Sequence, residues 1–246
     1  MPRRTVLLTG ALLFAGSRIA SPDTATLVST RDNTLIEDAT GALSNGAGPT
    51  MFAGRTNQLS SSVRRAVLRF DVAGAVPPGS TILGVALTLN MSQAATPSNQ
   101  SIELRRLAAD WGEGTSDAGT AGGGGAPSTP GDATWRHRFF PGTPWASPGG
   151  DFTGSVKAAI AVGFEGPYTW GPTPGMIADV QGWLDNPASN FGWGMIGNEN
   201  SRGTAKRFDT RENLDPLARP MLKIDYTPPG TPATVATWGK IKAQYR

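Results

Sequence analysis

The sequence predicts an all-β chain, an antiparallel β-sandwich of jelly-roll type with one short helix and long glycine-rich loops. Three observations predict it. Several runs alternate apolar and polar residues with period two, as half-buried strands do. The 32 glycines and 20 prolines fall between short apolar runs, where they mark turns. Only one stretch carries helical periodicity, so the crossover helices of a parallel sheet are missing.

The elements follow in order. Short strands are expected at Thr26–Ser29, Thr34–Glu37 and Thr50–Gly54. In "RRAVLRFDV", Ala66, Leu68, Phe70 and Val72 share one face and Arg65, Val67, Arg69 and Asp71 the other. "PPGS" (Pro77–Ser80) turns the chain into "TILGVALTLNM", which places Leu83, Val85, Leu87, Leu89 and Met91 on one face. "SIELRRL" (Ser101–Leu107) is the next strand. Thr115–Ser155 is a long glycine-rich excursion, broken by a short strand at Thr134–Phe139; an excursion of that length inside one domain is either functional or mobile. The helix begins at Thr173 as N-cap with Pro174 in its first position, and Met176, Ile177, Val180 and Leu184 line one side. Asn186-Pro187 ends it. Strands at Gly192–Gly197 and Lys206–Thr210 follow, and "RPMLKIDY" closes the domain with Leu222, Ile224 and Tyr226 inward.

The ends read differently. Arg3 and Arg4 precede an apolar run from Val6 to Ala15 and then small residues, the layout of a signal peptide over residues 1–20. A secreted or cell-surface protein is the expectation, with no transmembrane segment once the leader is removed, since no other run is long enough to cross a bilayer. The domain spans 21–227. Residues 228–246 form a Pro/Thr linker and a short basic segment, of which 235–246 is a candidate envelope- or partner-docking element. Six of the 22 basic residues lie in these two ends, which hold no acid, so 21–228 keeps 16 basic against 19 acidic residues. A slightly acidic domain offers no basic stripe for nucleic acid. The absence of cysteine excludes disulfides, thiolate catalysis and thiolate-held metals.

Several stretches carry a family likeness. "RRAVLRFDVAGAVPPGSTILGVALTLNM" resembles the strand–turn–strand core of the DNRLRE-type domain, also described as carbohydrate-binding module family 96: Arg65, Leu68, Phe70 and Asp71, then Pro77, Gly79 and Ile82, then Ala86, Leu87 and Leu89. Trp111, Glu113 and Gly114, followed by Thr134 and Trp135, are similar to the family's W-x-E-G and T-W, although here a glycine-rich insertion separates them. "VQGWLDNPASNFGWGMIG" and "AKRFDTREN" resemble its closing helix and last strands. The likeness covers roughly Thr24 to Thr227. It implies a secreted, non-catalytic β-sandwich module, with some members similar to alginate-binding modules.

The candidate site residues fall into four groups. In "DWGEGTSD", Asp110, Glu113 and Asp117 invite comparison with a glycosidase acid pair, which needs two carboxylates facing one another across a sugar. No partner acid is identifiable, and the plainer reading is a turn with Trp111 as buried anchor and Glu113 organising local hydrogen bonds. His137, the only histidine, has neither a nucleophile motif nor a second histidine for zinc, and reads as structural. Asp32 and Glu37 near the first strands, with Asp209 and Glu212 near the last, are candidate ligands of a structural calcium, because first and last strands of a jelly roll are often neighbours. The alternative is that Arg207 and Arg211 form ion pairs with Asp32 or Glu37. For carbohydrate, Trp135, Trp145, Tyr168 and Trp170 are candidate platforms. Arg136 and Arg138 would join them for an acidic polysaccharide, and Arg202, Lys206 and Arg207 form a second basic group. The leading expectation is a non-catalytic carbohydrate-binding module. An extracellular structural or adhesive module without a sugar ligand is the alternative, and a polysaccharide lyase or hydrolase the third reading.

Overall fold

The computed structural model describes residues 21–230. The expected leader and the candidate docking segment 235–246 lie outside the described residues. At 42% strand and 12% helix the chain is all-β, as expected. In chain order the strands are β1 (Asp23–Val28), β2 (Arg31–Ile36), β3 (Leu43–Ser44), β4 (Thr50–Arg55), β5 (Val63–Arg69), β6 (Thr81–Ala94), β7 (Gln100–Leu107), β8 (Ala126–Pro127), β9 (His137–Phe139), β10 (Thr143–Pro144), β11 (Phe152–Val162), β12 (Gly166–Trp170), β13 (Trp193–Ile196), β14 (Lys206–Asp209) and β15 (Met221–Thr227). Helix α1 is a single turn, Val72–Ala75, and α2 is Pro174–Asp185.

Eleven strands form one antiparallel sheet. Its path runs β1-β15-β6-β14-β4-β5-β13-β7-β11, with β12 paired to β6 and β2 to β5. β4 joins the two halves: it pairs with β14 over Thr50–Ala53 and with β5 only at Gly54 and Arg55. A sheet this wide curls on itself, and the two halves share one core. Val85, Leu87, Leu222 and Ile224 come from one half and Ala66, Leu68, Leu104 and Met195 from the other. α2 packs on β6 and β11 and adds Met176, Val180 and Trp183 to that core. Its start is as expected, with the Thr173 hydroxyl accepting from the Met176 amide at 3.2 Å and Pro174 in the first turn. The first and last strands are neighbours, Asp23 pairing with Tyr226 through to Val28 with Met221.

Three details depart from the expectation. Leu83 does not share the inward face of β6. The register to β15 skips it, Asp225 standing opposite Gly84 and Tyr226 opposite Ile82. The extra residue reverses the alternation, so Ile82 is buried and Leu83 is 48% exposed. β11 and β12 were not anticipated as strands; "FTGSVKAAIAV" has few large apolar residues, and five of the eleven are exposed. The excursion is packed rather than loose. It lies on the far side of β5, where Val67 joins Leu35, Leu107, Trp111, Ala133 and Trp145 in a second apolar cluster. The Trp111 indole donates to Phe191 O at 2.9 Å and the Trp145 indole to Thr134 O at 2.9 Å, so both rings are buried without an orphaned N–H. The β3–β8 and β9–β10 pairs stiffen the same segment.

Truncating Trp111 to alanine is expected to lower unfolding free energy by about 3–5 kcal/mol, because the second cluster loses a fully buried indole. Leu83→Ala is expected to stay within about 0.5 kcal/mol of the parent, as befits a residue expelled by the register shift. Urea denaturation of the two variants side by side checks both.

Candidate functional site

Three segments remote in sequence converge beside β2. The first is β2 itself, with Asp32 and Asn33. The second is the segment that leads from β7 into the excursion, Trp111–Gly114. The third is the connection after β14, where Thr210 ties the chain to the start of β4 by donating its hydroxyl to Gly48 O at 2.8 Å and its amide to Pro49 O at 3.2 Å. Glu113 is the common partner. One of its carboxylate oxygens accepts from the Asp32 amide at 2.8 Å and from Arg211 Nε at 2.8 Å, and the other accepts from Arg211 Nη2. The two-pronged geometry is that of a guanidinium–carboxylate pair. Its backbone is pinned too: Asn33 Nδ2 donates to Glu113 O at 2.9 Å. Gly46 sits so close to that carbonyl that a Cβ would overlap it, and Gly114, at φ +72°, leaves no room for one beside Asp132.

Asp32 is fully buried. Its Oδ2 accepts from Ser29 Oγ at 2.8 Å and from the Arg211 amide at 3.1 Å, while Oδ1 is shielded from solvent and has no hydrogen-bond partner. Glu212 is half-buried; its Oε1 lies 2.9 Å from Arg211 Nη2, and its Oε2 is likewise shielded and unpartnered. Asp32, Glu113 and Glu212 each place one carboxylate oxygen within 4.8 Å of the others. Burial, reinforced by Glu212 and Glu113 and only partly offset by the Arg211 amide and Ser29, pushes the Asp32 carboxyl well above the ordinary carboxylate range. Burial also raises Glu212, against the pull of Arg211. Arg211 is held above its ordinary value, chiefly by its hydrogen bond to Glu113.

Of the four residues expected to hold calcium, Asp32 and Glu212 come together, and the carboxylate that stands with them is Glu113. Glu37 accepts from the Val63 amide at 2.8 Å and Asp209 accepts from Asn90 Nδ2 at 2.6 Å, each occupied in its own strand pairing. The expected ion pair of Arg211 with Asp32 or Glu37 is corrected too: its guanidinium pairs with Glu113 and Glu212, and only its backbone amide reaches Asp32. Nothing local in "DWGEG" signals a contact with residue 32 or 212; only the fold brings them together.

The expected sugar platforms are largely consumed by packing. Trp170 is fully buried in the main core, its indole donating to Ile102 O at 2.9 Å, and Trp145 is buried in the second cluster. Neither can stack on a sugar. Trp135 is half-buried, and Arg65 lies over its ring at 5.0 Å. Tyr168 is half-buried and donates its hydroxyl to Phe164 O at 2.7 Å. Arg136 is exposed and reaches Ala39 O, whereas Arg138 lies against the Phe139 ring and reaches Asp110 O. In the second basic group, Lys206 is fully buried and donates to three carbonyls, Thr96, Ser98 and Gly163, at 2.8–2.9 Å, which withdraws it from any ligand.

A cleft the sequence did not reveal lies between β7, β11 and the segment after α2. It encloses about 380 Å³ and is lined by Arg106, Leu107, Ala108, Thr153, Lys157, Ser189 and Phe191. Arg106 and Lys157 both lean on Asp179 of α2, at 3.5 and 3.3 Å. Asp179 is buried and also accepts from the Trp193 indole at 2.9 Å, so the two cations face the cleft while their counter-charge lies behind them. No family model matches the chain, and a search of curated proteins finds no match either.

Replacing Glu113 by alanine removes charge-assisted hydrogen bonds from Asp32 N, Arg211 Nε and Arg211 Nη2. The expected loss is about 2–3 kcal/mol of unfolding free energy, measurable by urea titration, and Arg211→Ala is expected to be non-additive with it in a double-mutant cycle.

Proposed function

We propose that the protein is a non-catalytic extracellular module that binds an acidic polysaccharide, and that the cleft between β7 and β11 is its binding surface. The carrying observation is the pair Arg106 and Lys157 facing one cleft with their single counter-charge buried beneath. Such a cleft has a net positive floor. Thr153 and Ser189 add oxygens that can accept from sugar hydroxyls, their own protons being donated to Arg106 O and Asn186 O, and the part of the Phe191 ring left open beside the second cluster adds an apolar face for sugar C–H groups. Its size suits one or two sugar units. A uronate carboxylate would take the place of water on the two cations without displacing them from Asp179. The leader-like residues 1–20 and the likeness to a family of secreted modules support the extracellular setting.

Catalysis finds no support in the carboxylates. Asp32 is sealed from solvent, and Glu113 is committed to Arg211 and the Asp32 amide. Among the described residues no helix is long and apolar enough to cross a membrane.

Electrophoresis of the native protein through gels containing a soluble polyuronate or a neutral glucan tests the reading. Retardation by the polyuronate alone, weakening as salt is raised, is the expected result. Lys157→Gln is expected to lower affinity about tenfold, the loss of one contact of about 1.4 kcal/mol, and to lower the thermal midpoint because the buried Asp179 loses one of its two cations, so affinities are compared well below both midpoints. Absence of retardation by any polyuronate would favour a structural or adhesive module instead, and equal retardation of the variant would move the site away from this cleft.

A further inference from the structure

The Asp32–Glu113–Glu212 cluster leaves two shielded carboxylate oxygens without a donor, Asp32 Oδ1 and Glu212 Oε2. Buried polar atoms are ordinarily satisfied, and an orphaned one calls for a partner. Asp32 is the stronger indication, since the whole side chain is out of solvent and its other oxygen is fully engaged by Ser29 and the Arg211 amide. Among the described residues no lysine or arginine donates to either orphaned oxygen, although Arg211 stands beside them and donates to Glu113 and to the other oxygen of Glu212.

We propose that Asp32, Glu113 and Glu212 bind one calcium ion, which ties β2 to the excursion and to the connection between β14 and β15. The charge balance fits: with all three carboxylates ionised around the ion, they and the Arg211 guanidinium sum to two negative charges, which a divalent cation neutralises. The spacing fits as well. Ligand oxygens 2.3–2.6 Å from a common calcium lie at most about 5 Å apart, and one oxygen from each residue falls within 4.8 Å of the others. The donors are all oxygen, with neither histidine nor cysteine in the set, which selects a hard cation over zinc or copper. Calcium suits an irregular three-carboxylate set completed by water better than magnesium, which demands near-octahedral geometry. Glu212 and Arg211 are partly exposed and leave an approach from solvent. The ion belongs to the fold and not to the cleft of Arg106 and Lys157, so this inference stands apart from the polysaccharide reading.

The test is a thermal melt of the full chain, first in chelator and then in 10 mM calcium chloride or 10 mM magnesium chloride. With a dissociation constant of about 0.1 mM, in the range of extracellular calcium sites, the expected rise in midpoint with calcium is about 5–10 °C, with a much smaller rise for magnesium. Asp32→Asn and Glu212→Gln keep the shape of the side chains and remove the charge. Both are expected to melt cooperatively in chelator and to lose the calcium-dependent rise, while Glu37→Gln is expected to keep it. Isothermal titration of calcium into chelator-treated protein gives a readout independent of melting, with one site expected in the parent and none in Asp32→Asn. An unchanged midpoint together with no calorimetric binding would overturn the proposal. A rise that survives in Asp32→Asn and Glu212→Gln would overturn it too, by placing the ion elsewhere.

Discussion

The Glu113 carboxylate is the constraint on which the far side of the sandwich depends. It sits at the mouth of a long excursion, and one side chain fixes that excursion to a strand amide at residue 32 and to a guanidinium at residue 211. Because its own carbonyl is held by Asn33, both ends of the residue are committed. The tight approach of Gly46 and the left-handed turn at Gly114 follow from this placement. Trp111, two residues earlier, then drops into the second apolar cluster with Val67 and Leu107. Charge and burial act at adjacent positions: the carboxylate sets the register of the segment and the indole supplies most of its apolar contact.

The same economy recurs among the other buried polar groups. Asn33 donates to Ser44, Glu113 and Ala133 and accepts from the Thr34 and Asn45 amides, so one amide side chain serves its own strand and three neighbouring segments. Lys206 spends all three of its protons on the carbonyls of Thr96, Ser98 and Gly163. Arg64 does similar work for the glycine-rich stretch, donating to Gly123 O at 2.7 Å, and its burial lowers the guanidinium to about 10. In a chain without disulfides, loops of low regularity are held by such fans of donors, because buried backbone carbonyls must be met by something.

Much of this fold was legible in the sequence, and the reasons are particular. The period-two runs at Ala66–Phe70 and Leu222–Tyr226 announce the faces they turn to the main core, although β5 ends at Arg69 and Val72 begins the single turn α1. The helix is announced by Thr173, Pro174 and Asn186-Pro187, all local signals. What the alternation could not show is a second covering layer: Val67 reads as an outward residue and is nevertheless buried, since the covering comes from residues forty and more positions away. Leu83 was misplaced for a related reason, a register shift being a property of two strands rather than one. Trp145 and Trp170 looked like platforms because tryptophan in a loop-rich region carries no mark of which way it faces. The acidic cluster was half legible: Asp32 and Glu212 follow from the pairing of chain ends, whereas Glu113 joins through the excursion, whose path no periodicity encodes. The cleft of Arg106 and Lys157 was invisible because its basic character depends on where Asp179 is buried.

The division of the apolar interior into two clusters has a consequence for how the molecule comes apart. The main core lies between the sheet halves and beneath α2, and does not include Trp111 or Trp145. The excursion can therefore detach as one cooperative unit, exposing the outer face of β5 while the sandwich beneath stays closed. The partly open form would present Val67 and Leu35 beside the row of Arg65 and Arg69, an amphipathic sheet face normally hidden. Whatever governs the latch at Glu113 thereby governs how often that face is seen by proteases or by other chains.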